Sequence, residues 1–218
     1  ILGGFMSEGN KLEHLAIIMD GNRRWAKEKS MMTTMGHKKG ADVLVDTAKY
    51  CNEIGLKYLT VYAFSTENWK RTKEEVGYLM GLLGVYLDKF LNELDMKNIK
   101  INFIGNIDEI DKSLSKRIRD LEEKTSNNTG LNLMIAFNYG GRDEIVRACK
   151  NIAKKVNNNE LKIDDIDETV FANHLYTCEK KDPDLVVRTS GEMRTSNFLP
   201  WQITYSEFLP LDKYWPDF

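Results

Sequence analysis

At 218 residues, 42% hydrophobic and 29% charged, the chain is long enough to bury a sizeable core and has the make-up of an ordinary globular protein. Its net charge of −2 argues against general nucleic-acid binding, so any basic patch must be local. Cys51, Cys149 and Cys178 lie far apart without metal-ligand spacing and read as reduced thiols, and no apolar run approaches the roughly 18 residues of a membrane span, which makes the cytoplasm the default compartment.

Residues 1–5 precede Met6 and read as a cloning remnant, leaving 6–218 as one expected domain. Leu15 to Met19 is an apolar run of buried-strand length that ends in Asp20-Gly21-Asn22, turn and helix-start chemistry, followed at once by Arg23 and Arg24. A glycine lets backbone N–H groups approach an anion, and an arginine offers phosphate a planar fork. Asp20 would repel that phosphate unless a cation intervened, which points to Mg²⁺. His37, between Gly36 and Lys38, is either a surface histidine or a further phosphate donor.

The spacing of Ala41, Leu44, Val45, Ala48, Cys51 and Ile54 predicts a helix over 38–54 capped by Gly55. Residues 58–64 have strand composition and run into Ser65-Thr66-Glu67-Asn68-Trp69-Lys70-Arg71, either a capping segment or part of a site, with Arg71 its strongest binding candidate. Thr72 and Glu75 form a capping box for a long helix whose apolar stripe runs from Val76 to Leu94. That stripe is core, or the wall of a cavity for a long apolar ligand.

Further strands are expected at 99–104, 131–137 and 185–187, with helices at 111–123, 143–156 and 167–175. The alternation predicts an α/β fold with a central, mostly parallel sheet flanked by helices, binding ligands beyond the carboxyl ends of its strands. The densest cluster follows the last strand, where Arg188, Arg194 and Ser196 surround Gly191 and suit a diphosphate better than a surface ion pair requires. Glu207, among aromatic neighbours in an expected core-facing segment, would be buried only with a cation or arginine partner.

Six stretches together resemble the cis-prenyltransferase family of undecaprenyl diphosphate synthases, or isoprenyl transferases. They are HLAIIMDGNRRWA (14–26), GHKKG (36–40), YAFSTENWKR (62–71), NYGGRDEI (138–145), DLVVRTSGEMRTSNFLPWQITYSEF (184–208) and WPDF (215–218). The resemblance implies that isopentenyl diphosphate units are condensed onto an allylic diphosphate such as farnesyl diphosphate, with Z geometry and Mg²⁺. It implies a homodimer, and contact with the inner membrane surface when a long lipid is released. It makes Asp20 the Mg²⁺ residue, with Glu207 reaching the site from the partner subunit. Gly21, Asn22, Arg23, Arg24, Trp25, His37 and Arg71 would hold the allylic diphosphate, and Arg188, Arg194 and Ser196 the isopentenyl diphosphate. Ser65, Glu67, Asn68 and Trp69 would line the reaction centre, Asn68 joining Asp20 as catalytic. Two departures stand out. Thr33 occupies a position where the pattern usually has an arginine, and the chain stops at Phe218 where relatives continue into an arginine-rich tail, so that tail is expected to be missing. The competing reading is a non-catalytic subunit of the same fold. A nucleotide-binding α/β protein is disfavoured because neither G-x-G-x-x-G nor a P-loop occurs.

Overall fold

The computed structural model describes residues 12–218, so the remnant expected at 1–5 lies outside the described residues. The centre of the fold is β1 (His14–Ile18), buried along its whole length. Its side chains alternate: Leu15 and Ile17 enter the larger core, while Ala16 and Ile18 enter a smaller one on the opposite face. A strand apolar on both faces can only be covered on both, which is the condition for a parallel sheet.

Around β1 lie β2 (Tyr58–Ser65), β3 (Lys100–Ile104), β4 (Asn132–Tyr139), β5 (Leu185–Thr189) and β6 (Glu207–Leu211), in the order β3-β4-β2-β1-β5-β6. Every neighbouring pair is parallel. The helices are α1 (Asn22–Glu28), α2 (Thr33–Glu53), α3 (Lys73–Glu93), α4 (Lys112–Lys124), α5 (Gly141–Asn157) and α6 (Glu168–Ala172). Val43 and Leu44 of α2, Leu83, Leu87 and Phe90 of α3, and Ile118 and Leu121 of α4 build the larger core against the sheet. Phe198 and Leu199, from the segment after β5, close the smaller one.

Two sequence expectations change. The segment expected to face the core at Glu207 is instead β6, a sixth strand on the sheet edge, where Pro210 is tolerated and where Glu207 is exposed. Helix α2 begins at Thr33, five residues earlier than its apolar spacing indicates. Its first turn lies against the start of α1 because Gly36 has no side chain: a Cβ there would sit 2.1 Å from the backbone oxygen of Asn22. Trp215 is fully buried and donates from Nε1 to Gly40 O at 2.7 Å, fastening the end of the chain to the same helix.

Gly36→Ala therefore forces backbone apart and is expected to destabilise by about 1–3 kcal/mol. At about 2–4 °C per kcal/mol for a chain of this size, the thermal midpoint should fall by roughly 2–12 °C. An unchanged melting curve would mean that α1 and α2 do not approach this closely.

Candidate active site

The strand order makes the carboxyl ends of β2, β1 and β5 neighbours, and the three polar clusters that follow them converge. After β1 the chain turns through Gly21, whose φ of 103° suits glycine, and enters α1. Asp20 is held at this turn from both sides. Its backbone N–H donates to Thr189 Oγ1 at 2.9 Å, and Thr189 Oγ1 donates back to Asp20 O at 2.7 Å. Its carboxylate accepts from Gly21 N at 2.7 Å and from Arg188 Nη2 at 2.9 Å, with Arg24 Nη2 at 3.2 Å. Burial pushes the Asp20 pKa up, but the Arg188 hydrogen bond and charge, with Arg24 and the Gly21 N–H, outweigh it and the net shift is downward.

Arg188 is buried, 4% exposed, and bonded through both terminal nitrogens while its Nε has no partner: besides Asp20 it donates from Nη1 to Ser196 Oγ at 2.7 Å and to the backbone oxygen of Arg194. The loop that supplies those acceptors has positive φ at Ser190, Ser196, Asn197 and Leu199. Such a run of left-handed non-glycine residues persists only where surrounding contacts hold it. Here Asn197 does so, accepting from Gly141 N and Arg142 N at 2.9 Å each and donating to Glu67 Oε1 at 3.1 Å.

Three cavities meet at this end of the sheet. One polar cavity of about 570 Å³ is lined by Asp20, Gly21, Asn22, Arg23 and Arg24, with Lys27, Thr33, His37 and Arg71 opposite. A second, of about 550 Å³, shares Asp20 and Arg71 and adds Ser65, Glu67, Asn68, Arg188, Ser196 and Asn197. The third is apolar and small, about 100 Å³, between Leu79, Leu82, Leu83, Tyr86 and Phe90 of α3 and Ile135 and Phe137 of β4. Met19, Asn22 and His37 line all three.

His37 is 8% exposed, and burial lowers its pKa, opposed by the carboxylate of Glu75. Its Nε2 lies 3.3 Å from Glu75 Oε1; a carboxylate only accepts, so this nitrogen carries the proton. Ser65 caps the 3₁₀ turn Thr66–Lys70, and Asn68 Oδ1 accepts from Ser65 N at 3.0 Å. Trp69 donates from Nε1 to Asn138 Oδ1 at 2.7 Å, so the cluster after β4 supports the turn after β2.

Four sequence candidates stand apart, the first being Trp69, which is held by Asn138 and Phe64 and lines none of the three cavities. Trp25 is buried away from the cavities, donating from Nε1 to Asp217 Oδ1 at 2.7 Å, and so anchors α1 where a substrate contact was expected. The Arg194 side chain is 65% exposed and pairs with Glu192, so the two arginines do not converge; Arg194 instead gives Arg188 a backbone acceptor. Glu207 opens β6 three residues before Pro210, the partner of Arg188, which puts it roughly 10 Å down the sheet from the site. It neither joins Asp20 within one chain nor has the buried cationic partner that its aromatic surroundings suggested. Met19, Glu75 and Asn197 are absent from the sequence-derived set. Met19 reads as the last residue of an apolar run, and Glu75 is explained locally by its cap.

The family model described as "Putative undecaprenyl diphosphate synthase" matches residues 18–218. The chain is 50% identical over 206 residues to the ditrans,polycis-undecaprenyl-diphosphate synthase ((2E,6E)-farnesyl-diphosphate specific) of Micrococcus luteus, spanning 94% of this chain and 83% of that one. It is 48% identical over 211 residues to an isoprenyl transferase of Bacillus subtilis, spanning 97% and 81%. Among solved structures it resembles lavandulyl diphosphate synthase from Lavandula x intermedia in complex with dimethylallyl diphosphate, with a TM-score of 0.92, 37% identity and 95% and 89% of the chains covered. It also resembles a probable undecaprenyl diphosphate synthase from Campylobacter jejuni, with a TM-score of 0.77, 32% identity and 96% and 89% covered. A match across the site-bearing ends of β1, β2 and β5, and not across the scaffold alone, makes the chain a member of the undecaprenyl diphosphate synthase family of cis-prenyltransferases.

Proposed function

We propose that the chain condenses isopentenyl diphosphate units onto an allylic diphosphate, farnesyl diphosphate, to give a long Z-polyprenyl diphosphate, undecaprenyl diphosphate for a cell-wall lipid carrier. The observation that carries this reading is the meeting of two arginine-bearing polar cavities of similar volume with one apolar cavity at Met19, Asn22 and His37. Two diphosphates with their reacting carbons adjacent, and one growing tail, require that arrangement.

In this reading the first polar cavity takes the allylic diphosphate. Arg23, Arg24 and Arg71 offer it cationic donors, with neutral His37 beside them. The second takes the isopentenyl diphosphate against Arg188, Ser196 and Asn68, walled by the loop that also carries Arg194. Because Asn68 commits Oδ1 to the Ser65 cap, its Nδ2 donors are left for the cavity. As the allylic C–O bond breaks, its electron pair leaves with diphosphate, and the isopentenyl double bond attacks the allylic carbon. The proton then lost from the isopentenyl unit goes to diphosphate. Fixed cations are worth most where water is excluded, which suits this charge separation.

Among the described residues no three carboxylate, histidine or cysteine side chains gather to hold a metal by themselves. That fits Mg²⁺, which keeps several waters and is commonly held by one or two carboxylates plus substrate phosphates. Asp20, facing both polar cavities, supplies the carboxylate. Mg²⁺ bound there would neutralise charge on the departing diphosphate. Glu207, exposed on the edge strand, serves in this reading across the interface of a homodimer. The described residues contain no helix long and apolar enough to cross a membrane. We place the enzyme in the cytoplasm, touching the membrane surface during product release through Met31, Met32 and Met35, which are 45%, 71% and 41% exposed near the first cavity.

Incubation with farnesyl diphosphate, radiolabelled isopentenyl diphosphate and Mg²⁺ should yield long extractable lipid that EDTA abolishes; folded protein giving no product would overturn the assignment. Asp20→Ala and Asp20→Asn both leave the buried Arg188 without its counter-charge, but Asp20→Asn keeps an oxygen acceptor for it and is the better probe. It should cut turnover by at least roughly 100-fold and, because the buried pair loses one charge, also lower the thermal midpoint, though less than alanine does. Arg194→Ala should chiefly raise the KM for isopentenyl diphosphate, and a selective rise for the allylic substrate would reverse the two assignments. Thr33 lines the first cavity, so Thr33→Arg should tighten farnesyl diphosphate by roughly 10-fold, the effect of one charge-assisted hydrogen bond. Unchanged or weaker binding would place the new guanidinium outside reach of the diphosphate.

A further inference from the structure

Glu75 breaks a local rule. Thr72 and Glu75 have the spacing of a reciprocal capping box, and one half forms: Glu75 N donates to Thr72 Oγ1 at 3.3 Å. The returning half does not, because the Glu75 carboxylate turns to three groups from three other segments. Its Oε1 accepts from Arg71 Nη1 at 2.9 Å and from His37 Nε2 at 3.3 Å, and its Oε2 lies 3.7 Å from Arg23 Nη1. The carboxylate is only 14% exposed. Arg23, His37 and Arg71 line the first polar cavity, so the carboxylate stands behind them, on the side away from the ligand. A local preference given up for two long-range contacts and one four residues back marks a position selected for something other than helix stability.

We infer that Glu75 is a positioning residue for the allylic diphosphate: its carboxylate gathers Arg71, His37 and Arg23 and fixes the free guanidinium donors of Arg71 and Arg23 toward the first cavity. Two guanidinium groups beside a buried imidazole repel one another and would otherwise splay toward solvent, Arg23 most of all, since its side chain is 62% exposed. With the carboxylate behind them they are oriented before substrate arrives, which removes part of the ordering cost of binding. The second cavity has its own anchor in the pair Arg188–Asp20 and its own acceptor in Ser196, and Glu75 touches neither residue of that pair. Arg23 lines the first cavity alone while Arg71 and His37 also border the second, so the effect of Glu75 falls mainly, not solely, on the allylic substrate. This inference rests on the assignment of the first cavity to the allylic diphosphate.

The test is farnesyl diphosphate binding with Mg²⁺ and without isopentenyl diphosphate, so that no turnover occurs, followed by steady-state kinetics with both substrates. Glu75→Ala is expected to weaken farnesyl diphosphate at least about 10-fold while raising the KM for isopentenyl diphosphate by a clearly smaller factor, about threefold or less, since Arg71 and His37 border both cavities. Glu75→Gln, whose amide oxygen can still accept from Arg71 and His37, is expected to recover most of that loss. Equal losses for both substrates, or no recovery with glutamine in a variant of normal melting temperature, would overturn the positioning role. Unchanged farnesyl diphosphate affinity in Glu75→Ala would overturn it too. Failure of the wild-type protein to bind farnesyl diphosphate at all would instead overturn the cavity assignment on which the inference rests.

Discussion

The pair between Asp20 and Arg188 joins the carboxyl ends of β1 and β5, and the geometry of both polar cavities depends on it. A buried guanidinium is costly, and a buried ion pair is weak support for stability unless its remaining donors are satisfied. Arg188 meets that condition at Nη1 only because the loop after β5 folds back to offer Ser196 Oγ and the Arg194 oxygen, while its buried Nε has no partner. The loop therefore cannot relax from its left-handed residues without stranding a charge. The same pair keeps Asp20 ionised by outweighing the effect of its burial. One interaction thus sets the charge of the residue shared by the cavities and the shape of the loop that walls one of them.

From this pair outward, the division of the site follows the strand order. β1 supplies the junction, with Asp20 on the polar side and Met19 reaching the apolar cavity. β5 supplies the anchored arginine, and β2 supplies the turn bearing Ser65 and Asn68. β4 walls the apolar cavity with Ile135 and Phe137 and supports the polar ones indirectly: Asn138 accepts from Trp69, and the start of α5 is bonded to Asn197. Because α1 and α2 lie against each other through Gly36, His37 is brought to the same junction from a separate helix. All of this sits beyond the carboxyl ends of parallel strands, where open α/β sheets bind ligands.

How much of this is legible in the sequence depends on whether the cause is local. Continuous apolar runs mark β1, β2, β4 and β5 because strands covered on both faces carry no alternation. β6 is hidden because a five-residue edge strand containing Pro210 has neither the composition nor the period of a strand. The first turn of α2 is hidden because Thr33, Thr34 and Gly36 carry no apolar repeat, their reason for being helical lying in α1. The site divides in the same way. Asp20, Asn22, Arg24, His37, Arg71, Arg188 and Ser196 follow strand ends or flank helix starts, and the fold gathers them. Trp25 and Arg194 lie in the same stretches, yet where their side chains turn is decided by Asp217 and Glu192. No spacing rule carries that information.

Helix α3 resolves the two readings of its apolar stripe by serving both. Leu87 and Phe90 are buried in the main core, while Leu79 and Leu82 remain partly open toward the apolar cavity. At about 100 Å³ that cavity is smaller than the ~150 Å³ engineered cavities that admit benzene, so a polyprenyl tail requires its wall to yield. The sheet side is the costlier one to displace, since Ile135 and Phe137 belong to a strand paired on both edges. On the helix side, Gly77 and Gly81 have no atom within 4 Å of where a Cβ would lie, so packing does not require them. Each costs the helix about 1 kcal/mol relative to alanine, which concentrates weakness in the half of α3 that borders the cavity. The first turn of that helix carries Glu75, so the wall that must yield to the tail is tied, within two turns, to the groups that face the diphosphate.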